Sequence, residues 1–403
     1  MSAVISARSL CRSVALAALG GALAWGASGC SESEGTPAAP ESELGEADGP
    51  VALEDVAVLL PLLAKSSSEL AWPAAAEVGP GRALMPRDLA TQLPLLREDP
   101  SATYDSLHVV AIRLDPCAPA LGGAMCEPEL RFVIQPVVAD ADGVPTTHDA
   151  AVHLGYRIAI EPFLALLGSL RAAQSPNARK SLGVHSGFGA QSDARAFGTM
   201  LRAEAQKAAA SGRLARATFM TLRSRGNEWQ FGGIDITAEH PLGVPIRIVQ
   251  SQATVQSIVL QETASTFAKS VFPLPSDTDL LPLLSERSMR SAPKEDLARA
   301  LRAANRTNNP NVRTIENTDC VSCHTAHTSA SWAAREIGTT TDDDRYTSPT
   351  FDLSPLSSPA TDVGVLRAFG YMGRVPVVSP RTVHEAAKAA RQCNWLLHHP
   401  QGS

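Results

Sequence analysis

The chain has 403 residues, a formal net charge of −6 and 5% aromatic residues. An acidic chain without a basic run carries no electrostatic footprint for nucleic acid. The length allows at least two domains and a substantial core.

The first thirty residues address the compartment. Arg8 and Arg12 make a basic start, Val14 to Trp25 is a short apolar run, and Gly26, Ala27, Ser28 and Gly29 lead into Cys30. That order is the signature of a secretory signal peptide over residues 1–29. The run falls short of the ~20 apolar residues that a membrane span needs. The ending "ASGC" resembles a bacterial lipobox, with Ala27 where leucine is usual. The resemblance implies that Cys30 becomes a lipidated first residue. It would anchor an exported protein to a membrane, here read as the outer membrane, facing the periplasm or cell surface. Cleavage without a lipid is the alternative. From Cys30 to residue 50 the chain carries six acids, no base and several Pro and Gly, the composition of a disordered tether.

Residues 51–290 read as an α+β domain of antiparallel strands with helices, its role unassigned. Leu107 to Leu114 and Leu130 to Gln135 are expected strands, flanking Cys117 and Cys126 on either side of a Pro/Gly loop. In an exported protein those two cysteines should form a disulfide, contributing roughly 2–3 kcal/mol. The alternation from Val152 to Ile160 predicts a half-buried strand, Phe163 to Ala172 a helix, and Asp193 to Ala210 a second helix ending near Gly212. Ala217 to Arg223 and Trp229 to Ile236 suggest a hairpin about Arg225, Gly226 and Asn227, with another strand within Ile246 to Leu260. No nucleophile elbow, P-loop or dinucleotide fingerprint is present. His148, His153, His185 and His240 lack metal-ligand spacing and read as surface or structural residues. The glycine-rich Gly183 to Gly189 reads as a loop.

From residue 291 the composition changes. A helix is expected over Pro293 to Arg306. After it comes "NTDCVSCHTAHTSAS", Asn317 to Ser331, with Cys320, Cys323 and His324 spaced C-x-x-C-H. This is the attachment sequence of c-type haem, though the same letters also fit a redox dithiol or half a zinc site. Zinc needs two more ligands at suitable spacing, and His327 is the one candidate nearby. A thioredoxin-like dithiol needs a βαβ setting that the Asn/Thr-rich approach lacks. Export favours haem, because bacterial c-type haem is attached outside the cytoplasmic membrane.

By these residues the segment of about 290–403 resembles c-type cytochromes. The resemblance implies a mostly α-helical fold holding one haem c, with Cys320 and Cys323 as thioether carriers and His324 as proximal iron ligand. It also implies a sixth ligand, for which Met372 in "AFGYMGRVP" is the first choice, ahead of His384, His398 and His399. His327, three residues past His324, should not reach the opposite side of the haem. Trp332, Phe351, Phe369, Tyr371 and Trp395 are candidate walls for the ring, and Arg367, Arg374 and Arg381 candidate partners for its propionates. Ser379 and Pro380 should open a terminal helix, whose stripe Val383, Ala386, Ala390, Cys393 and Leu397 makes Cys393 a buried free thiol. The acidic "TDDDR" at Thr341 to Arg345 reads as a solvated loop.

The expectation is an exported, lipid-anchored monohaem protein that passes single electrons to an unidentified redox partner, a carrier rather than an enzyme. Two alternatives stand beside it. One is a binding or scaffold lipoprotein whose C-x-x-C-H is structural. The other is an oxidoreductase whose substrate binds in the α+β domain.

Overall fold

The computed structural model describes residues 50–62, 71–98, 103–119, 126–173, 182–189, 193–223, 228–247, 254–261, 266–268, 279–280, 283, 286–314, 316–353 and 366–399. The signal segment, Cys30, the tether and the turn at Arg225 to Asn227 lie outside these residues. Everything described belongs to one compact unit, which spans Asp48–Ser403.

Its frame is a ten-stranded sheet in which every pairing is antiparallel. The main path runs β1 (Ala57–Leu59), β2 (Leu107–Pro119), β3 (Cys126–Ala139), β4 (Ala150–Arg157), β5 (Arg213–Arg223), β6 (Glu228–Asp235), β7 (Val255–Gln261) and β8 (Thr266–Ala268). Order in space follows order along the chain. Short strands Pro145–Thr147 and Val244–Pro245 pair with β3 and β6. The alternation that predicts these strands also assigns their faces. In β3, Leu130, Phe132 and Ile134 join the main core, while Glu129 and Arg131 point to the other side. Cys117 and Cys126 are joined as a disulfide with their Cα atoms 4.6 Å apart, at the end of the β2–β3 ladder.

Between β4 and β5 the chain forms two helices, α1 (Ile160–Ala172) and α2 (Ala194–Ser211). The predicted strand ends three residues early, because Ile160 starts the helix instead. Asp193 caps α2 by accepting from Ala196 N, as its position before the apolar stripe requires. Gly212 ends it where a Cβ would come within 2.3 Å of the Arg157 carbonyl oxygen, so a larger residue would push helix and strand apart. Phe163, Leu166, Leu170, Phe197 and Leu201 close this face over Phe132, Val152, Leu154 and Tyr156.

The C-terminal part adds α3 (Lys294–Asn308), α4 (Cys320–Glu336), a hairpin of β9 (Phe369–Met372) and β10 (Val375–Val378), and α5 (Pro380–His398). Ser379 caps α5 with Pro380 in its first turn. Val383, Ala386, Ala390 and Cys393 are buried in the main core, and Cys393 is a free thiol. Helices α3 and α4 close a second cluster with Ala151, Met220, Trp229 and Phe231 of the sheet. The segments on either side of residue 290 therefore share their cores. The α+β class holds for the molecule, and its C-terminal part contains a hairpin as well as helices. Among the described residues, no helix is long and apolar enough to cross a membrane.

Candidate functional site

The C-x-x-C-H sequence forms the first turn of α4, and the sheet fixes where that turn lies. Asp319 is the N-cap: its Oδ1 accepts from Ser322 N at 2.9 Å and its Oδ2 from Ser322 Oγ at 2.7 Å. Gln256 of β7 reaches across to the same turn. Its Nε2 donates to Asp319 Oδ1 at 2.9 Å, and its Oε1 accepts from Val321 N at 3.1 Å. One buried amide thus ties the helix start to the sheet.

Cys320 and Cys323 are both free thiols that keep some accessible surface. Burial pushes Cys320 up to about 12, with Asp319 adding to the effect. Burial likewise raises Cys323 to about 11. His324 places Nδ1 2.5 Å from the Leu366 carbonyl oxygen and its ring 5.0 Å from that of Phe231 on β6. Since a carbonyl only accepts, Nδ1 carries the proton and Nε2 keeps a lone pair. Burial is the main cause that holds this imidazole below its usual range, and the nearby charge of Arg367 acts in the same direction.

Beside the apolar cluster of Ala151, Met220, Trp229 and Phe231, the sheet face toward α4 also presents ionic side chains. Glu129, nearly fully buried, accepts from Arg131 Nε at 2.8 Å and stands 3.3 Å from Arg157 Nη1. Arg216 pairs with Asp235 and, at 2.9 Å, with Glu316. On the α5 side Glu385 takes Arg113 at 2.7 Å and Arg381 at 2.6 Å. Burial works to raise the Glu385 carboxyl, but Arg381, Arg113 and Arg131 together hold it well below the usual carboxylate range. Between β2, β3 and α5 lies a cleft of about 730 Å³, measured out to its open mouth and lined by Arg113, Arg131, Arg381 and Glu385. Arg381, Glu385 and Arg113 also act electrostatically on Cys323, so the cleft adjoins the motif.

Several predicted participants lie elsewhere. Phe369 and Tyr371 are buried in the main core, Phe351 packs on its edge, and Trp395 stacks on His399. Of the expected aromatic walls, Trp332 alone belongs to the cluster around α4. Phe231, which touches His324, comes from the sheet, and sequence proximity to the motif gave no sign of it. Arg374 is exposed, and Arg381 is spent on Glu385 and the carbonyls of Thr307 and Arg313. Arg367 differs from both. It is buried, its Nη2 bonds Asp149 at 2.9 Å, and its Nε and Nη1 find no partner among the described residues. Met372 ends β9 in a hairpin held to Leu60, Gln135 and Thr147. His384 meets the Asn308 carbonyl through Nδ1 and packs at a tilt against Tyr346. His327 senses His384, and burial lowers it to about 4. His398 and His399 are exposed.

No family model matches this chain, and no curated protein or solved structure does.

The competing chemistries of the motif can be weighed on geometry. Among the described residues, no group of three or more His, Cys, Asp or Glu is placed to hold a bare metal ion, as zinc would require. A redox dithiol needs a thiol shifted toward thiolate, whereas burial shifts both of these the other way. The residues around the motif include groups that a haem would use: Cys320 and Cys323 keep some accessible surface, the His324 imidazole offers Nε2 beside them, and Arg367 holds buried N–H groups without an acceptor among the described residues.

Proposed function

We propose that this protein is an exported c-type cytochrome-like lipoprotein that carries one covalent haem and transfers single electrons. The observation that carries the reading is His324. It stands next to two free thiols on one helical turn, with Nδ1 committed to the Leu366 carbonyl and Nε2 left for a metal. Cys320 and Cys323 would hold the haem through thioethers and His324 would be its proximal ligand, with residues 291–403 as the cytochrome-like segment. Met372 is the sequence's candidate for the other axial position. When bound, the haem supplies a one-electron couple.

The protein's own groups set the conditions for that couple. The bond from His324 to Leu366 fixes the ring's orientation and makes Nε2 a stronger donor. Arg367, with N–H groups unpartnered among the described residues, would offer them to a carboxylate of the haem, and its charge beside the iron ligand would favour the reduced state. The Gln256 clamp keeps the attachment turn at a fixed distance from the sheet. Lipidation at Cys30 would place this unit at the surface of a membrane facing the periplasm or cell surface, within reach of a redox partner protein.

The test is expression in a host with haem-maturation machinery, followed by denaturing electrophoresis with haem staining and a pyridine haemochrome spectrum. Covalent haem that disappears in the Cys320→Ala/Cys323→Ala variant is the expected result. A protein without haem, whose Cys320 and Cys323 titrate as a disulfide, would refute the reading.

A further inference from the structure

The register across β3, β4 and β5 sets Val133, His153 and Thr218 side by side on the sheet face that α4 covers. Strand β4 is interior to the sheet, and Ala151, Val152 and Leu154 around His153 are buried. His153 and Thr218 nevertheless keep accessible surface. An interior residue under a helical layer can do so only where that layer stands off and leaves a space. His153 is within electrostatic range of His324, and Arg131, Arg113 and Glu385 act on it as well. Arg131, Arg113 and Glu385 line the cleft between β2, β3 and α5, so His153 lies between that cleft and His324. The His153 ring takes no hydrogen-bond partner among the described residues, which is uncommon for an interior imidazole. The other histidines near α4 are differently engaged: His384 bonds Asn308 and packs at a tilt against Tyr346, and His327 lies on the His384 side.

We propose that His153, and not Met372, is the second axial ligand of the haem iron, reaching from the sheet toward His324 on the helix. This inference rests on the haem reading above. It makes the α+β part of the chain half of the cofactor site and gives its central strand a chemical task.

The test uses the full-length protein matured with covalent haem. Ferric wild-type protein should give the low-spin absorption and EPR spectra of two imidazole ligands, without the weak far-red band of methionine–iron ligation. His153→Ala, with haem still attached, should turn high-spin and return to low-spin when free imidazole is added. His153→Met should introduce the far-red band, and Met372→Ala should leave the wild-type spectrum unchanged. A far-red methionine band in wild type overturns the inference without any variant, as does an unchanged low-spin spectrum in haem-loaded His153→Ala. Wild type with no covalent haem overturns the haem reading itself, so the two failures are distinguishable.

Discussion

The two faces of the sheet meet their covering helices with different chemistry. Toward α1 and α2 the strands present Phe132, Val152, Leu154, Tyr156 and Phe219, closed by an apolar layer. Toward α4 the same strands present Ala151, Met220 and Phe231 together with Glu129, Arg131, His153, Arg157 and Arg216. Buried ion pairs seldom stabilise more than apolar side chains of similar volume. A face built for stability alone would therefore look like the first. The second retains charge, with the unused N–H groups of Arg367 near its edge, and on the reading proposed above it is the face that serves the motif of α4.

The comparison can be broken by substitution on each face. Phe132→Ala removes a fully buried ring that packs edge-on against both Trp72 and Tyr156. It should cost about 3–5 kcal/mol of unfolding free energy in urea denaturation. A loss below about 1 kcal/mol would mean that this face is not the stabilising one. Glu129→Ala on the other face should cost about 3 kcal/mol, because Arg131 and Arg157 are left as interior charges without their shared acceptor. Replacing all three by apolar residues should recover most of that loss. Failure to recover would show that the ionic cluster holds the fold rather than serving the site.

Acid sharpens the same contrast. Burial, then the charges of Arg131 and His324, lower His153 to about 3, and burial lowers His327 to about 4. Both groups titrate near 6.5 in the unfolded chain. Between pH 6.5 and about 4 the unfolded state binds protons that the folded state refuses, so stability falls as the pH falls. The slope should be about 1.4 kcal/mol per pH unit for each such histidine, and near zero from this source above pH 7. Urea midpoints of the Cys320→Ala/Cys323→Ala protein across this range measure it. Adding His153→Gln should remove one histidine's share of the slope, and an unaltered slope would count against a buried His153.

Much of the frame was legible because strand alternation and helix caps are local signals. β2 to β6, α1, α2, α3 and α5 all fall on predicted segments, and Asp193 and Ser379 cap the helices that their positions predict. The Cys117–Cys126 pairing was legible for the same reason, since two adjacent strands set it. What could not be read was the meeting of distant segments. Aromatic residues close to the motif in sequence suggested walls at Phe369 and Tyr371, yet the hairpin carries both into the other core. Phe231, Gln256 and His153 approach α4 from 64 to 171 residues upstream, as reckoned from Cys320 to Gln256 and from His324 to His153. His153 in particular looks structural in sequence because one histidine in an alternating strand carries no spacing signal. Only the register of four strands shows which face it is on.

The smallest expected effect bears on the join between the faces. Asp319→Ala removes the cap of α4 and leaves the buried Gln256 Nε2 without its acceptor. Losing a cap costs typically ~1 kcal/mol, and the orphaned amide adds a comparable amount. Asp319→Asn keeps an oxygen for Ser322 N and should cost less than Asp319→Ala. Stability is not the most telling readout here. If Gln256 and Asp319 together hold the first turn of α4 against β7, loosening them should expose Cys320 and Cys323. In unmatured protein, the rate at which an aromatic disulfide reagent modifies these thiols should then rise far more in Asp319→Ala than the stability loss alone accounts for. Equal proportional changes in both would mean that the clamp serves the fold as a whole. A selective rise in thiol reactivity would mean that it serves the attachment turn, which is what a site requiring two sulfurs and one imidazole in fixed register demands.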